Sequence, residues 1–370
     1  MKFTCEKYLF QAAVQTASRA ASSKSPIPAL EGLLVEAGSG CVRITGYDLR
    51  KGIYTEFAAD IEEPGALIIG ARLLGDIVRS LPDGIVRVAS EGTAIRIVCG
   101  DSDFSVSGFD AADYPELPEV DLQNSISINQ KKLSDMIRQT SFAISDNESR
   151  PVYTGSLLEL KGNTLTIVSV DGFRLALRRE EFTDGKLEDC RFVVPGSALS
   201  DLEKLCTAED EDVVITLGAK YISFAVGRTV LISRRLEGEF LDYEKSVPDR
   251  FAHMVEVRRE ELASVVSRVS LIVEDKNKTP LHVTFGTDEI RIHCMTGIGK
   301  ADDRCPMKGD CGGLEIGFNN TYLLEALRAA PASELNIGIN TGSSPCVILP
   351  TDDSRSFAYM ILPVRLRAGT

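Results

Sequence analysis

The chain has 370 residues, of which 44% are apolar, and its 41 Lys and Arg against 54 Asp and Glu give a net charge of −13. This composition is that of a soluble globular protein with room for two to four domains, and the excess of acid argues against a partner that needs a cationic surface overall. No stretch approaches the ~18 apolar residues of a membrane-spanning helix, and the N-terminus lacks the apolar run of a signal peptide, so we expect a cytoplasmic protein.

The nine cysteines form no C-x-x-C pair and lie mostly in apolar, strand-like runs. This pattern predicts small buried side chains in a reducing compartment rather than disulfides. The three histidines fall in the last third of the chain, near Cys294, Cys305 and Cys311, but their spacing matches no zinc module. No metal or cofactor is therefore expected.

Three predicted helices share one spacing of mostly apolar residues. Each has them at offsets 0, 3, 4, 7, 10 and 11, which form a single stripe on a three-turn helix. The stripes start 123 and then 129 residues apart, at Phe10, Leu133 and Leu262, and end at Ala21, Ile144 and Val273. This repetition predicts three copies of one domain.

Each copy continues with further elements in the same order. A tight hairpin follows the first helix, then a short strand leads into a second helix, and a second hairpin ends the copy. The first hairpins are predicted to join residues 32–36 to 42–45, 155–159 to 165–168 and 281–285 to 290–293. The second helices cover residues 74–81, 199–205 and 323–330, the last with Asn319 or Asn320 as N-cap. The second hairpins occupy residues 85–106, 213–233 and 335–361.

The predicted fold class is α+β, with two helices on one face of an antiparallel sheet in three tandem copies. Acidic, proline-containing stretches at residues 110–125 and 242–253 are the expected joints, which gives an N-terminal domain (1–120), a central domain (121–248) and a C-terminal domain (249–370). The terminal copies keep apolar edges, such as Phe104 and Val106, and a closed head-to-tail ring would cover them. An ordinary three-domain monomer explains the pattern equally well.

The charges are segregated between helices and the remaining chain. The six predicted helices sum to +4, which leaves −17 elsewhere. If the helices share one side, that side could hold a polyanion through sequence-independent phosphate contacts. Solvated helix surfaces with chance cations are an equally good interpretation. Base reading is not expected, because the chain has no zinc finger, aromatic stacking platform or basic recognition helix.

Signals for catalysis are weak. Residues 297–300 (GIGK) are too short for a phosphate-binding loop, and neither G-x-S-x-G nor H-E-x-x-H occurs. Asp171 and Arg174 could act as a carboxylate base and an arginine clamp, but no second base or nucleophile accompanies them. A turn at the start of a strand explains the pair better. The sequence makes no positive case for an enzyme, and no catalytic residue is predicted.

Seven short motifs occur in the order found in bacterial DNA polymerase III beta subunits. They are residues 1–4 (MKFT), 28–32 (PALEG), 111–115 (AADYP), 170–176 (VDGFRLA), 238–243 (GEFLDY), 316–319 (IGFN) and 362–366 (LPVRL). The chain resembles this family over its whole length. The resemblance implies a non-catalytic sliding clamp, a head-to-tail homodimer whose six domains form a ring around double-stranded DNA. It also implies a clamp loader, and DNA polymerases, ligase and mismatch-repair proteins that bind through short linear peptides.

The family's peptide-binding groove lies between the central and C-terminal domains. Carried over position by position, it comprises Tyr153, Thr154, Val170, Gly172, Phe173, Arg174, Leu175, Leu241, Ser246, Val247, Tyr322, Pro345, Met360, Leu362, Pro363, Val364 and Arg365. Arg174 and Arg365 are expected at the rim of this mostly apolar groove. Departures from the family are Tyr153 for Leu, Val170 for Thr, Phe173 for His, Leu241 for Pro and Val364 for Met. These changes predict a bulkier groove with a less polar mouth.

Other positions carry over to the dimer contact and to DNA. The resemblance implies that Phe104 of one copy meets Leu271 and Ile272 of the other, while Asp101 and Asp103 stand where the family often has basic residues. Residues 367–370 extend past the family's usual end. The positions implied for DNA are Lys24, Arg72, Lys131, Lys132, Arg138, Arg150 and Lys204. The rival interpretations are an acidic three-domain scaffold that binds peptides without encircling DNA, and an enzyme that uses Asp171 and Arg174 with the C-terminal His and Cys residues.

Overall fold

The computed structural model describes residues 1–120, 125–182, 184–185, 188–274, 279–352 and 354–366. They form two compact units: a first unit of residues 1–131, 183–187 and 204–235, and a second unit of residues 132–182, 188–203 and 236–370. The predicted C-terminal extension, residues 367–370, lies outside the described residues. No helix in the described part of the chain is both long enough and apolar enough to cross a membrane.

Residues 1–120 form ten strands and two helices. The strands are β1 (Lys2–Glu6), β2 (Gly32–Gly38), β3 (Cys41–Tyr47), β4 (Lys51–Ala58), β5 (Asp60–Glu63), β6 (Gly65–Gly70), β7 (Ile85–Glu91), β8 (Ala94–Cys99), β9 (Ser102–Ser107) and β10 (Phe109–Asp110). The helices are α1 (Lys7–Ala17) and α2 (Ala71–Ser80). Both helices bury the apolar stripe that the sequence predicts, because one face of each packs on the sheets.

The middle third repeats this order. Its strands are β11 (Ser125–Asn129), β12 (Gly155–Lys161), β13 (Thr164–Val170), β14 (Arg174–Glu181), β15 (Asp184–Gly185), β16 (Cys190–Pro195), β17 (Asp212–Leu217), β18 (Tyr221–Val226) and β19 (Thr229–Arg234). Its helices are α3 (Gln130–Thr140), α4 (Gly196–Leu205) and the single turn α5 (Tyr243–Ser246).

The last third has the same two long helices. Its strands are β20 (His253–Arg258), β21 (Leu281–Thr296), β22 (Gly299–Phe318), β23 (Glu334–Ile339), β24 (Cys346–Pro350) and β25 (Phe357–Ile361), and its helices are α6 (Arg259–Val269) and α7 (Asn320–Ala329). Of the two predicted caps for α7, Asn319 is the one found: its side chain accepts hydrogen bonds from the backbone N–H groups of Thr321 (2.9 Å) and Tyr322 (3.2 Å).

The first helix of each third is shorter than its predicted stripe. A hydroxyl group at or just past each helix end donates to the carbonyl four residues earlier: Ser18 to Val14, Thr140 to Met136 and Ser270 to Val266. Such side-chain bonds compete with the backbone ladder and favour the end of a helix. The chain then continues as a turn after α1 and as 3-10 turns after α3 (Ser141–Ala143) and α6 (Ser270–Ile272). The last stripe members therefore lie outside the helices.

Two of the three predicted first hairpins are confirmed. β2 pairs with β3 through a two-residue turn in which Ser39 and Gly40 both have positive φ (52° and 77°), and β12 pairs with β13 around Gly162. The third prediction was wrong in its boundaries. Residues 281–296 form one long strand, β21, whose two halves pair with opposite ends of β22. The predicted turn at residues 286–289 is seen as register shifts within β21, where Asp288 has a φ of 61°.

The first unit contains two antiparallel sheets. The smaller has the strand order β5-β1-β7-β8-β9, and the larger has the order β10-β6-β2-β3-β4-β19-β18-β17-β11-β15. At the centre of the larger sheet β4 pairs with β19, and the hydroxyl groups of Thr55 and Thr229 lie 2.8 Å apart across that pairing. This sheet therefore continues from the first third of the chain into the middle third.

The second unit contains one sheet with the order β16-β12-β13-β14-β25-β24-β23-β20-β22-β21. Here β14 of the middle third pairs with β25 of the last third, with Leu175 opposite Met360. One apolar core of this unit packs α6 and α7 on the sheet. A separate core, which we call the groove cluster, comprises Leu157, Val168, Val170, Leu175, Leu177, Val193, Tyr243, Val347, Leu349, Ala358 and Met360. Because β14 and β25 are neighbours, residues far apart in sequence share this cluster.

Candidate functional site

The groove residues predicted from the resemblance gather in the second unit around the β14–β25 pairing. Val170, Leu175 and Met360 belong to the groove cluster, and Tyr153, Leu241 and Val247 pack against it as partly buried side chains. The tail after β25 is held by two backbone bonds, from Leu362 N–H to the Phe173 carbonyl (2.9 Å) and from Val364 N–H to the Gly317 carbonyl (2.8 Å). The site is therefore an apolar cluster with the tail after β25 held beside it by main-chain hydrogen bonds.

The turn before β14 is built around Asp171. One carboxylate oxygen accepts the backbone N–H groups of Phe173 (2.9 Å) and Arg174 (3.0 Å), and the other accepts Arg174 Nε (2.9 Å). Gly172 has a φ of 92°, a conformation that a residue with a Cβ rarely adopts. The turn interpretation of this pair is therefore confirmed. The Asp171 carboxylate is occupied by structural hydrogen bonds, which leaves the enzyme interpretation without its proposed base.

Arg174 lies inside the site and not at its rim, where it was expected. Its side chain is 9% exposed and bonds to Glu325 of α7 as well as to Asp171. The guanidinium carbon lies 4.4 Å from the ring centre of Tyr322 and 5.3 Å from that of Phe142. Burial and the nearby Asp171 carboxylate raise the pKa of Tyr322, so this ring stays neutral beside the arginine. Arg174 therefore joins the turn to α7.

The exposed part of the site is aromatic and aliphatic. Phe173 is 60% exposed and stacks on Tyr322, with ring centres 6.2 Å apart and planes 25° apart. Tyr153 meets Phe240 edge to face at 5.4 Å, and Val364 is 38% exposed. These side chains match the bulky, less polar mouth predicted from the sequence. An apolar surface of this kind can take up the side chains of a short peptide.

Leu175 and Thr154, both predicted groove residues, do not contribute to this exposed surface. Leu175 is fully buried, so it supports the floor and cannot contact a ligand there. Thr154 donates to the Pro151 carbonyl (2.7 Å) and lines a different cleft, between residues 141–148 and the start of α4. Periodicity could not separate them from their neighbours, because a strand places alternate residues on opposite faces only once its pairing is known.

The predicted DNA-binding cations all lie at exposed positions. Lys24 is in the loop after α1, Arg72 is on α2, Lys131, Lys132 and Arg138 are on α3, Arg150 precedes the 3-10 turn Pro151–Thr154, and Lys204 is on α4. Lys132 lies 3.6 Å from a carboxylate oxygen of Glu180, and Arg138 pairs with Asp135. Exposed pairs of this kind are weak and leave the cation accessible to a phosphate.

Further arginines, which are not among the predicted DNA-binding positions, line clefts between helices. In the first unit Arg79 lines the α1–α2 cleft together with Arg72, which lies seven residues earlier on the same helix face. In the second unit Arg259, Arg268 and Arg328 line the α6–α7 cleft. The seven-residue spacing of Arg72 and Arg79 was the signal that could have identified the first of these.

The residues expected at a dimer contact lie at two exposed edges. Phe104 is half-buried on β9, the last strand of its sheet, so one side of β9 has no strand partner within the described chain. Leu271, in the 3-10 turn after α6, is 81% exposed. Asp103 is held by Arg96 through a bidentate contact, and that arginine lowers the pKa of the Asp103 carboxyl. An open strand edge and an exposed leucine are features that association can cover.

The histidines and cysteines of the last third are placed mainly in the β21–β22 region. His282 and His293 meet edge to face at 5.9 Å, and His293 Nδ1 lies 2.8 Å from an Asp302 carboxylate oxygen. Cys294, Cys305 and Cys311 are buried in the core, where burial raises the pKa of each thiol. Within the described residues no three His, Cys, Asp or Glu side chains cluster in a way that could hold a metal ion.

Comparison with known proteins gives three consecutive family matches. The N-terminal, central and C-terminal domains of the DNA polymerase III beta subunit match residues 1–118, 127–242 and 244–365. The chain is 30% identical to the beta sliding clamp of Staphylococcus epidermidis, with 99% of each chain covered. Among solved structures it is similar to the DNA polymerase sliding clamp of Bacillus subtilis, with a TM-score of 0.94 and 28% identity over 99% of this chain and all of the other. A putative DNA polymerase III beta subunit from Eubacterium rectale gives a TM-score of 0.93 and 30% identity over 98% of this chain and 99% of the other.

Proposed function

The chain belongs to the bacterial DNA polymerase III beta subunit family and is a DNA sliding clamp, and we propose that two copies close head to tail around duplex DNA and hold partner proteins through the groove. Members of this family are non-catalytic processivity factors of replication. The main support is that three domain families match in order along almost the entire chain. We propose that it works in the cytoplasm and that its domain boundaries are 1–120, 121–248 and 249–370.

Tethering explains how a protein without chemistry of its own can speed synthesis. A polymerase bound to a ring that cannot leave the DNA stays at a high effective concentration near the primer end. Because the ring is linked topologically, the protein can bind DNA weakly and still remain on it. The observed helices α1 to α7 are weakly cationic, with a summed charge of +3 per chain, and fit this requirement better than a strongly basic surface would.

The groove supports binding of short linear peptides. Phe173 and Val364 are exposed, and the partly buried rings of Tyr322 and Tyr153 lie beside Phe173 and the groove cluster respectively. Such a surface accepts leucine and phenylalanine anchors, while fixed main-chain segments such as the tail after β25 set the direction of the peptide. DNA polymerases are the principal proposed partners. Ligase and mismatch-repair proteins are proposed partners through the same groove, and a clamp loader is the proposed partner that opens and closes the ring.

Retention on circular DNA tests the ring. Protein loaded onto nicked circular DNA by a clamp loader should remain bound during gel filtration at raised salt and should be lost once a restriction enzyme linearises the circle. The matched control is a Leu271→Asp/Ile272→Asp variant, which should not remain on either DNA. Equal retention on circular and linear DNA would contradict the ring and favour the rival interpretation, an acidic peptide-binding scaffold.

Removal of residues 362–370 tests the groove. This variant loses Leu362 and Val364, whose backbone bonds hold the tail on the site, so we expect loss of binding to a fluorescein-labelled peptide with leucine and phenylalanine anchors. Dimers should persist, because the dimer contact lies elsewhere. Unchanged peptide affinity in the shortened protein would place the binding site outside this groove.

A further inference from the structure

One wall of the groove comes from a segment with little structure of its own. Residues 241–247 supply Leu241, Ser246 and Val247, and the regular structure within them is the single turn α5. One turn of helix is not stable alone, because nucleation fixes several residues for few hydrogen bonds. The position of this wall therefore depends on whatever attaches the segment to the sheet.

The attachment is a buried hydrogen bond from Tyr243 to Glu159. Tyr243 is 2% exposed, packs in the groove cluster and donates its hydroxyl to one carboxylate oxygen of Glu159 on β12. Glu159 is 5% exposed, and its other carboxylate oxygen accepts Arg191 Nε from the neighbouring strand β16. The Arg191 guanidinium also lies 5.9 Å from the centre of the Tyr243 ring. Both oxygens of the buried carboxylate are thus satisfied, one of them by the groove wall.

The other polar contacts of the segment are at the surface. Lys245 pairs with Asp242 (2.6 Å), with side chains 84% and 47% exposed, and Lys161 lies 4.0 Å from Glu244, also with both side chains exposed. Exposed pairs contribute little to stability, whereas a buried carboxylate that loses a donor is strongly destabilised. Burial and the Glu159 carboxylate raise the pKa of Tyr243, so its hydroxyl remains a donor. The Tyr243–Glu159 bond is therefore the strong polar tether of the wall.

We propose that Glu159 and Tyr243 are positioning residues that hold Leu241 and Val247 in the arrangement that binds peptide. The inference rests on the proposed function, because it assigns these residues a role in the proposed groove. Neither side chain needs to touch the peptide. They act through the wall, and peptide affinity therefore depends on a bond beneath the surface that the peptide contacts.

Tyr243→Phe is the main variant, and two readouts separate positioning from general stability. Peptide affinity, measured by fluorescence anisotropy with the leucine–phenylalanine peptide, should fall by roughly three- to tenfold, because the wall becomes mobile. Hydrogen exchange in residues 241–247 of the free protein should become faster. The matched control is Tyr114→Phe in the first unit, which removes another buried tyrosine hydroxyl, bonded to the Thr45 carbonyl (3.2 Å), and should leave both readouts unchanged.

Double variants identify the route of the effect. In a double variant of Tyr243→Phe and Val247→Ala, the fold-loss of peptide affinity should be smaller than the product of the fold-losses of the two single variants, because both substitutions act on one wall. Tyr243→Phe and Val364→Ala should combine independently, because the tail is a different wall. Glu159→Leu/Tyr243→Phe replaces both partners with apolar groups and should recover folding stability without recovering peptide affinity, which keeps the test valid if Tyr243→Phe alone folds poorly.

The outcomes distinguish the tether from the groove. Suppose that the unsubstituted protein binds the peptide and that Tyr243→Phe changes neither peptide affinity nor hydrogen exchange. The positioning role would then be overturned, while the proposed groove would stand. Recovery of full affinity in Glu159→Leu/Tyr243→Phe would also overturn it, since stability would then explain the loss. If the unsubstituted protein does not bind the peptide, the groove itself is wrong.

Discussion

Substitution of Arg174 by Met is the sharpest test of how the second unit is held together. Methionine keeps an unbranched apolar stem and removes the guanidinium, which bonds to Asp171 and Glu325 and faces the ring of Tyr322 at 4.4 Å. The Arg174 side chain is 9% exposed, so the ion pairs that it forms are largely shielded from water. The variant therefore removes a central charge while leaving most of the packing.

The expected loss of folding stability depends on which hydrogen bonds and how much water contact Asp171 and Glu325 keep once the guanidinium is removed. Breaking a buried ion pair from one side costs about 3–5 kcal/mol. Here Asp171 keeps two backbone donors, and Glu325 is 40% exposed and can be rehydrated, which places the loss near the lower limit. We expect about 3 kcal/mol for the second unit, which corresponds to a fall in Tm of roughly 6–12 °C.

Calorimetry and circular dichroism are the suitable assays, because the chain contains no tryptophan for intrinsic fluorescence. Arg258→Met is the matched control in the same unit. The Arg258 and Glu261 side chains are 71% and 37% exposed, so their ion pair should contribute less than about 1 kcal/mol. A cycle with Glu325→Gln should give a coupling of at least about 0.5 kcal/mol with Arg174→Met. A loss below 1 kcal/mol, additive with Glu325→Gln, would refute this account of Arg174.

The remaining predictions concern the dimer contact and the buried thiols. Leu271→Asp/Ile272→Asp should give a solution mass near 40.2 kDa by light scattering, because a charge at the proposed dimer contact opposes burial of that surface. The control Leu49→Asp changes an exposed turn residue with a φ of 71° and should keep twice that mass. Dimers in both variants would exclude this contact. Burial raises the pKa of Cys5 and of Cys346 from 9.0 to about 12, so unfolded chains lose these protons first and stability should fall as the pH rises from 9.0 towards about 12. Urea unfolding with a reducing agent present, at about pH 8 and about pH 10.5, should reveal this fall, and Cys346→Ala should reduce it; an unchanged slope in that variant would contradict the assignment.

Local sequence was enough to find most of the helices and strands. The buried positions of α1, α2, α6 and α7 follow the predicted stripes, because the period of 3.6 residues is a property of each helix alone. The helix ends were predicted too late. The hydroxyl groups of Ser18, Thr140 and Ser270 bond to carbonyls four residues earlier and favour the end of each helix. Residues beyond the helix ends, such as Ala20 and Ala143, nevertheless remain buried, so the apolar pattern continues past the helix.

The candidate groove was predicted by resemblance, and its internal arrangement was not. The motif at residues 170–176 identified the turn and the start of β14, but it did not reveal that Leu175 is fully buried or that Arg174 bonds to α7. Tyr243 ends the motif at residues 238–243, but nothing in the sequence linked it to Glu159, because a tyrosine and a glutamate 84 residues apart have no periodicity in common.

The sequence by itself determined that the chain is a threefold α+β repeat with one apolar face on each element, since those patterns depend on residues close together in the chain. Only the tertiary structure decided that β4 pairs with β19 and β14 with β25, so that the sheets continue across the predicted joints. The physical reason is that alternation fixes which face of a strand is buried but not which strand lies beside it. The groove depends on that second choice, because it is built where β14 and β25 meet.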